Sequence, residues 1–218
     1  MLKRILFRIA KSPFMGRTVG NVFRYGPWAL PLERVYCSKN ILAFHHPAPS
    51  YKNHLILSPR RAIGNLQQLA SEELAGYFAR IMEAARDIRA KHAAYRDSFV
   101  LIANGGKKQE VQQVHFHMFT DHPMVEGLYE EKTAHTDDLI CVLEPQNPEW
   151  EVHYVLCPAP HKVHGRAAYL RRILQEIETL DEKCGIVEKG YSLLFQFAGK
   201  ESEWECPVFH LIAGKKKG

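Results

Sequence analysis

Several kinds of sequence signal are missing from this chain, and each absence narrows its class. Its five cysteines, Cys37, Cys141, Cys157, Cys184 and Cys206, are odd in number, widely spaced and free of any CxxC pair. That spacing argues against a zinc ribbon or redox motif and reads as free thiols in a reducing compartment. The apolar stretch near the start is far too short to span a bilayer, and it lacks the unbroken apolar region and small-residue cleavage site of a secretory signal. Charge of one sign is also scarce: the net is +5 and the pI about 8.9, with the excess at the ends, in Lys3 to Arg24 and in Lys215 to Lys217. Such a balance favours an anionic ligand but is no nucleic-acid-binding composition. What remains, 218 residues with 46% hydrophobic and 24% charged, is an ordinary globular composition for one large domain or two small ones.

Residues 1–32 form a first segment. Leu2, Ile5, Leu6 and Ile9 recur at helical spacing with Lys3, Arg4, Arg8 and Lys11 between them, followed by a connector rich in Gly, Pro and aromatics. Three readings stay open for the helix at 2–11: packing on the body of the protein, lying on an anionic membrane surface, or directing import into an organelle. A first folded half is expected over 33–120. It has short strands at Val35–Tyr36 and Ile41–Phe44, a strand His54–Ser58 closed by Pro59, and a helix beginning at Ser71. The helix has one apolar stripe, Leu74, Tyr77, Phe78, Ile81, Met82, Ala85 and Ile88. Ser98–Ala103 reads as a strand, Asn104-Gly105-Gly106 as a turn, and Val111–Thr120 as a further strand.

A polar linker, 121–137, is expected before the same grammar returns over 138–214, with a basic tail at 215–218. His153-Tyr-Val-Leu-Cys-Pro158 echoes His54-Leu-Ile-Leu-Ser-Pro59, and Ala167, Leu170, Ile173, Leu174, Ile177 and Leu180 repeat the helical stripe. Tyr191–Gly199 echoes Asp97–Gly105, and Val208–Ile212 echoes His115–Phe119. The second copy keeps the folding pattern without the polar row: Cys206 and Val208 stand where the first has Gln113 and His115, and only His210 matches His117. The fold class this implies is α+β.

Within Val111–Phe119 polar and apolar residues alternate. On an extended strand Gln113, His115 and His117 share one face, while Val114, Phe116 and Met118 point into a core. A neutral imidazole whose other nitrogen is held as a donor is a nucleophile toward phosphorus, and a second imidazole two residues away can steady a phosphate oxygen. The preceding loop, Asn104-Gly105-Gly106-Lys107-Lys108-Gln109-Glu110, combines close backbone approach with lysine charge and amide donors, which suits a polyanion. Paired histidines with His54, His45 or His46 nearby could also chelate zinc. Trp150 reads as a packing residue and His135 as a solvated one.

Together, His54, the amphipathic helix, the Asn-Gly loop and Gln-Val-His-Phe-His-Met-Phe resemble the histidine triad (HIT) family of nucleotide hydrolases and transferases over about residues 33–120. The resemblance implies a HIT-like antiparallel sheet with packed helices and a covalent nucleotidyl-histidine intermediate. It assigns His115 as nucleophile, His117 as α-phosphate ligand, His54 as the upstream active-site histidine and Asn104 as the loop asparagine. Lys108, Gln109 and Glu110 align with the phosphate-contacting Gly-Gln-Ser segment, with Gly105 beside them. Phe44 and His46 align with the start of the nucleoside pocket. Gln113 replaces the first triad histidine and cannot hand over a proton near neutral pH. His46 stands where the ribose-binding acid is, and Glu110 replaces a neutral hydroxyl.

By the same resemblance the expected substrate is a nucleotide or dinucleoside polyphosphate, with no cofactor required and no nucleic acid as partner. The degenerate half would replace a second subunit, giving a monomeric pseudo-dimer with one active site. The expected location is cytoplasmic, with membrane contact only through residues 2–11. The alternative readings are a nucleotide-binding regulatory protein with little turnover and a zinc-dependent hydrolase.

Overall fold

Ten strands pair into one antiparallel sheet, and two amphipathic helices cover one of its faces. The computed structural model describes residues 32–66, 71–120, 131–160, 165–197 and 207–216. The segment 2–11 and its connector, Trp28, Trp204 and Cys206 lie outside the described residues, as do the side chains of Ser71 and Glu72. The strands are β1 (Arg34–Cys37), β2 (Ile41–His45), β3 (Lys52–Pro59), β4 (Phe99–Gly105), β5 (Phe116–Thr120), β6 (Glu131–Thr136), β7 (Ile140–Pro145), β8 (Trp150–Pro158), β9 (Tyr191–Phe197) and β10 (Phe209–Lys216). The helices are α1 (Ser71–Lys91), α2 (Arg166–Cys184) and the short α3 (Ile186–Lys189).

The strand order β1-β2-β3-β5-β4-β9-β10-β8-β7-β6 reads as one five-strand order followed by its mirror. The two halves join where β4 pairs with β9, from Phe99↔Phe197 to Gly105↔Tyr191. The expected duplication as an intramolecular pseudo-dimer is therefore the architecture. Neither half buries its helix alone: Phe78 of α1 packs edge-on against Phe116 of β5, at 5.0 Å between ring centroids, and also meets Phe209 of β10 at 6.3 Å. All seven residues of the α1 stripe are buried, each large apolar one contributing about 1.5–3 kcal/mol. In α2 the stripe from Leu170 to Leu180 is buried too, but Ala167 is exposed and Tyr169 takes its place, donating its hydroxyl to Pro207 O at 2.6 Å.

Four boundaries differ from the sequence expectation. Residues 131–136, expected within a linker, form edge strand β6, whose largely polar side chains hid a strand held by its main-chain pairing with β7. His135 on it is not simply solvated: its Nε2 lies 3.3 Å from Glu176 of α2. Lys215 and Lys216, expected in a tail, continue β10. Asn104 and Gly105 belong to β4, and the turn comes one step later, in a single 3₁₀ turn at Gly106–Lys108.

The fourth difference bears on function. Only Phe116–Thr120 of the expected 111–120 strand pairs with its neighbours; Val111–His115 runs through bends. Gln113 N instead bonds back to Val111 O, and Val114 N to Ile63 O, so the backbone leaves the ladder before the nucleophile position. Val114, Phe116 and Met118 are buried in the helix-covered core as expected.

Candidate active site

The site lies on the sheet face opposite the helices, because directly opposed residues of neighbouring strands share a face. One such row crosses the sheet: Phe44↔Ile56, Ile56↔His117, His117↔Ile102, Ile102↔Leu194, Leu194↔His210 and His210↔Val155. His117 and His210 stand symmetrically about the β4–β9 junction. Leu42, Phe44 and Ile56 form a small apolar cluster with Leu32 at the β2 end.

His54 is aimed by a local distortion. The β3–β5 register slips between Lys52 and Leu55, and Asn53 adopts φ 51°, a left-handed conformation that asparagine tolerates better than most residues. Asn53 is tied down on both sides, its Nδ2 donating to Thr120 Oγ1 at 2.9 Å and its carbonyl accepting from the Tyr95 hydroxyl at 2.7 Å.

The ring nitrogens then sort by elimination. The Ser50 amide donates to His54 Nδ1 at 3.4 Å, so a neutral His54 carries its proton on Nε2. That nitrogen lies 2.9 Å from His117 Nδ1, which must accept, leaving Nε2–H of His117 as a donor. His115 is held the opposite way. Its Nδ1 is 2.7 Å from the main-chain oxygen of Gln113, which can only accept, so Nδ1 is the donor and Nε2 keeps its lone pair. The two rings sit 4.9 Å apart at 71°.

Electrostatics keep all three rings neutral. His54 is lowered to about 4 by burial, then by the nearby His46 and His115. His117 is lowered to about 2 by burial and by the same histidine cluster. Burial also lowers His115, opposed by its bond to Gln113 and by the Glu110 carboxylate.

Gln113 does not join this row. It is buried, and its amide is turned toward the 59–63 segment: Oε1 accepts from Ile63 N at 3.2 Å, and Nε2 donates to Arg61 O at 2.9 Å and Pro59 O at 3.4 Å. The physical reason is the bend: off the strand, period two no longer puts residues 113 and 115 on one face.

The loop residues separate as well. Gln109 donates to the carbonyls of Gly64 and Val111, fixing the loop instead of standing free. Gly105 is buried, and a Cβ there would run into the Tyr191 ring, so its small size serves packing. Lys107 pairs with Glu188 of α3 at 2.9 Å. Lys108 donates to Ser192 Oγ at 3.3 Å with its ammonium 4.6 Å from the Trp150 ring centre. Glu110 is exposed and acts on His115 only electrostatically. Asn104 stands on β4 one residue beyond the last β4–β5 pair, Ala103↔Phe116, and its Oδ1 accepts from Ser192 Oγ at 2.8 Å.

Phe44 is buried in the apolar cluster and His46 stacks on His54, centroids 4.2 Å apart at 9°. His45 is exposed, 4.0 Å from Glu33. Tyr51, Ser192 and Trp150 were missed as neighbours of the site. Tyr51 stacks on Phe119 at 4.0 Å and meets His54 edge-on at 5.6 Å. Only the repeat phasing could have pointed to Ser192, as the counterpart of a strand residue beside the junction.

Ring nitrogens of His46, His54 and His117 lie within 4.8 Å of one another. They suit zinc poorly in this arrangement: a metal must lie in the plane of each imidazole that ligates it, and the His46 and His54 planes are stacked parallel. The second half keeps a matching pair, His153 Nε2 and His210 Nδ1 at 3.2 Å, while Val208, two residues before His210, offers no nucleophile.

Residues 29–124 match the HIT domain. An uncharacterised 13.2 kDa HIT-like protein of Azospirillum brasilense is 29% identical over 96 residues, 41% of this chain and 75% of that protein. Among solved structures, a GalT-like protein from Arabidopsis thaliana superposes with a TM-score of 0.61 at 10% identity, covering 90% of this chain and 82% of that one. An ADP-glucose phosphorylase from the same plant gives 0.59 at 8% identity, covering 90% and 80%. The chain is thus similar to the histidine triad family over residues 29–124, and its described residues fold as a duplicated antiparallel sheet.

Proposed function

We propose that the protein is a nucleotidyl hydrolase or transferase working through a covalent intermediate on His115. The observation that carries this reading is the opposite assignment of two neighbouring imidazoles, a lone pair on His115 Nε2 beside a donor N–H on His117 Nε2. The lone pair attacks the α-phosphorus in line, forming a P–N bond as the P–O bond to the leaving group breaks with its electrons on oxygen. The His117 N–H, already oriented by His54, stabilises the charge on the phosphoryl oxygens. Water or an acceptor oxygen then attacks phosphorus, and the P–N electrons return to His115. No metal is needed to make the nucleophile in this scheme.

Gln113 bears on the leaving group. With an amide in place of an imidazole, and that amide engaged with residues 59–63, no acid stands there among the described residues to protonate a departing amine. Leaving groups that depart as stable anions, such as phosphates, fit better. An ADP-glucose phosphorylase and a uridylyltransferase share the fold, which agrees with a substrate of that type.

The test is incubation with adenosine phosphoramidate and with dinucleoside polyphosphates, followed by mass spectrometry of protein quenched in denaturant at alkaline pH, where the P–N bond survives. A nucleotidyl adduct on His115, and loss of turnover in His115→Ala, are expected. Turnover unchanged in that variant refutes the reading, and tight nucleotide binding with no adduct replaces it with a regulatory role.

A further inference from the structure

The cysteines are widely spaced in the chain, but the fold brings two of them face to face. Cys141 of β7 and Cys157 of β8 are directly opposed in the antiparallel ladder, between Ile140↔Pro158 and Val142↔Leu156. Opposed residues share a face, so both thiols project from the same side of the sheet. That side is the one opposite the helices, because His153, Val155 and Cys157 alternate along β8 and Val155 lies opposite His210. Both are thiols in the structure, with Cys141 buried and Cys157 partly exposed.

A hydrogen bond at the strand end fixes the kind of pair. Ala159 N donates to Leu139 O at 3.1 Å, one step outside Ile140↔Pro158. Hydrogen-bonded and non-hydrogen-bonded pairs alternate along a ladder, so Cys141↔Cys157 is of the hydrogen-bonded kind, with Cα atoms about 5.5 Å apart. A disulfide spans Cα separations of about 4.4–6.8 Å, so a bond here needs no change of register. The Cβ atoms of such a pair, about 5.5 Å apart, must close to about 4.5 Å or less, and that contraction strains the bond and makes it easier to reduce.

The two sulfurs have different neighbours. Cys141 Sγ accepts from Thr136 Oγ1 at 3.2 Å, on the side toward edge strand β6. Cys157 Sγ donates to Cys141 O at 3.4 Å, so it already leans over the strand that carries the other thiol. A small oxidant meets Cys157 first, because Cys141 is the more buried of the two. Two other cysteines are placed differently. Cys37 opposes Leu42 on the β1–β2 ladder, and Cys184, at the end of α2, lies 3.9 Å from the Tyr154 hydroxyl on the helix-covered face.

We propose that Cys141 and Cys157 form a reversible redox modification site, closed to a disulfide by a peroxide and reopened by a thiol. The Cys157 sulfur attacks hydrogen peroxide, forming an S–O bond as the O–O bond breaks, and the thiol proton leaves with the departing oxygen as water. The Cys141 sulfur then attacks that of Cys157: the S–S bond forms, the S–O bond breaks, and the oxygen leaves with the Cys141 proton as a second water. Each sulfur gives up one electron, and the peroxide takes both. Two molecules of a thiol such as glutathione reverse the change, joining as their own disulfide while their protons return to the cysteine sulfurs. The bond links β7 to β8 in the half that lacks a nucleophile, away from His115.

The test is treatment of the full chain with hydrogen peroxide, blocking with N-ethylmaleimide in denaturant, and mass spectrometry of the tryptic peptides. Both cysteines fall in one such peptide, residues 133–162. After peroxide it should be two hydrogens lighter and unalkylated while Cys37 and Cys184 stay alkylated, and excess reduced glutathione should restore two alkylated sites. In Cys141→Ser, Cys157 should stop at a sulfenic acid that dimedone labels; in Cys157→Ser, the more buried Cys141 should label at least about tenfold less. The proposal is overturned if peptide 133–162 carries two alkyl groups after peroxide, if either cysteine is found bonded to Cys37, Cys184 or Cys206 instead, or if the disulfide resists glutathione.

Discussion

Replacing Gln113 with alanine separates holding the loop from doing the chemistry. The side chain is 1% exposed and bonds Ile63 N at 3.2 Å and Arg61 O at 2.9 Å. Alanine strands both groups, and a buried main-chain group left without its partner costs about 1–3 kcal/mol. The Ile63 amide lies in buried surroundings and falls at the upper end; the Arg61 carbonyl is only part-buried and falls lower. The sum is about 2–4 kcal/mol, or a fall in melting temperature of about 5–15 °C for a chain of this size. The nucleophile should keep its tautomer, because His115 Nδ1 bonds the main-chain oxygen of residue 113, which alanine retains. Single-turnover adduct formation, measured below the melting transition, should therefore stay within about tenfold of wild type, whereas loss of a proton-transfer group costs about a hundredfold or more. A hundredfold slower adduct in a protein of unchanged melting temperature would refute this assignment.

Three further outcomes follow from the geometry. His54, lowered to about 4, and His117, lowered to about 2, titrate near 6.5 once unfolded, so the unfolded chain binds more protons below that pH. Stability should be fully present above pH 6.5 and fall by about 1.4 kcal/mol per pH unit for each histidine toward pH 4; urea midpoints that stay flat from pH 7.5 to 5 would contradict this. Gly106→Ala should destabilise by more than about 1 kcal/mol, the reverse of the gain expected at an unstrained glycine, because its φ is 57° and Val187 blocks the Cβ; a raised thermal midpoint would count against this packing. Arg172 spans Asp137 at 2.7 Å and the 1%-exposed Glu176 at 2.8 Å, so Arg172→Met should cost about 3 kcal/mol by leaving a buried carboxylate with only His135, and an unchanged urea midpoint would refute it.

Much of the architecture is written in local periodicity. The α1 stripe from Leu74 to Ile88 and the short apolar run of β3 required only each segment's own sequence, because a helical period and an apolar run closed by proline are local signals. The duplication was legible for the same reason, since two matching series of patterns imply two matching folds. The histidines that the fold brings together were legible too, His115 and His117 by motif and His54 by its place before the first helix. What failed locally was the strand at 111–115: alternation there is real, but Gln113 gains more from satisfying the 59–63 main chain than from standing on a ladder. Edge strand β6 failed for want of an apolar face.

By itself, then, the sequence determined most of the elements, the repeat and the histidines of the motif, all of them properties of residue type and spacing. Tertiary structure decided which nitrogen of His117 carries a proton, because that depends on His54 reaching it from a neighbouring strand, whereas His54 and His115 take their tautomers from main-chain groups of Ser50 and Gln113 close by in the chain. It also decided that Lys108 sits at the junction of the halves, since Ser192 and Trp150 lie more than forty positions away in the chain and are brought near it by the pairing of β4 with β9, β9 with β10 and β10 with β8.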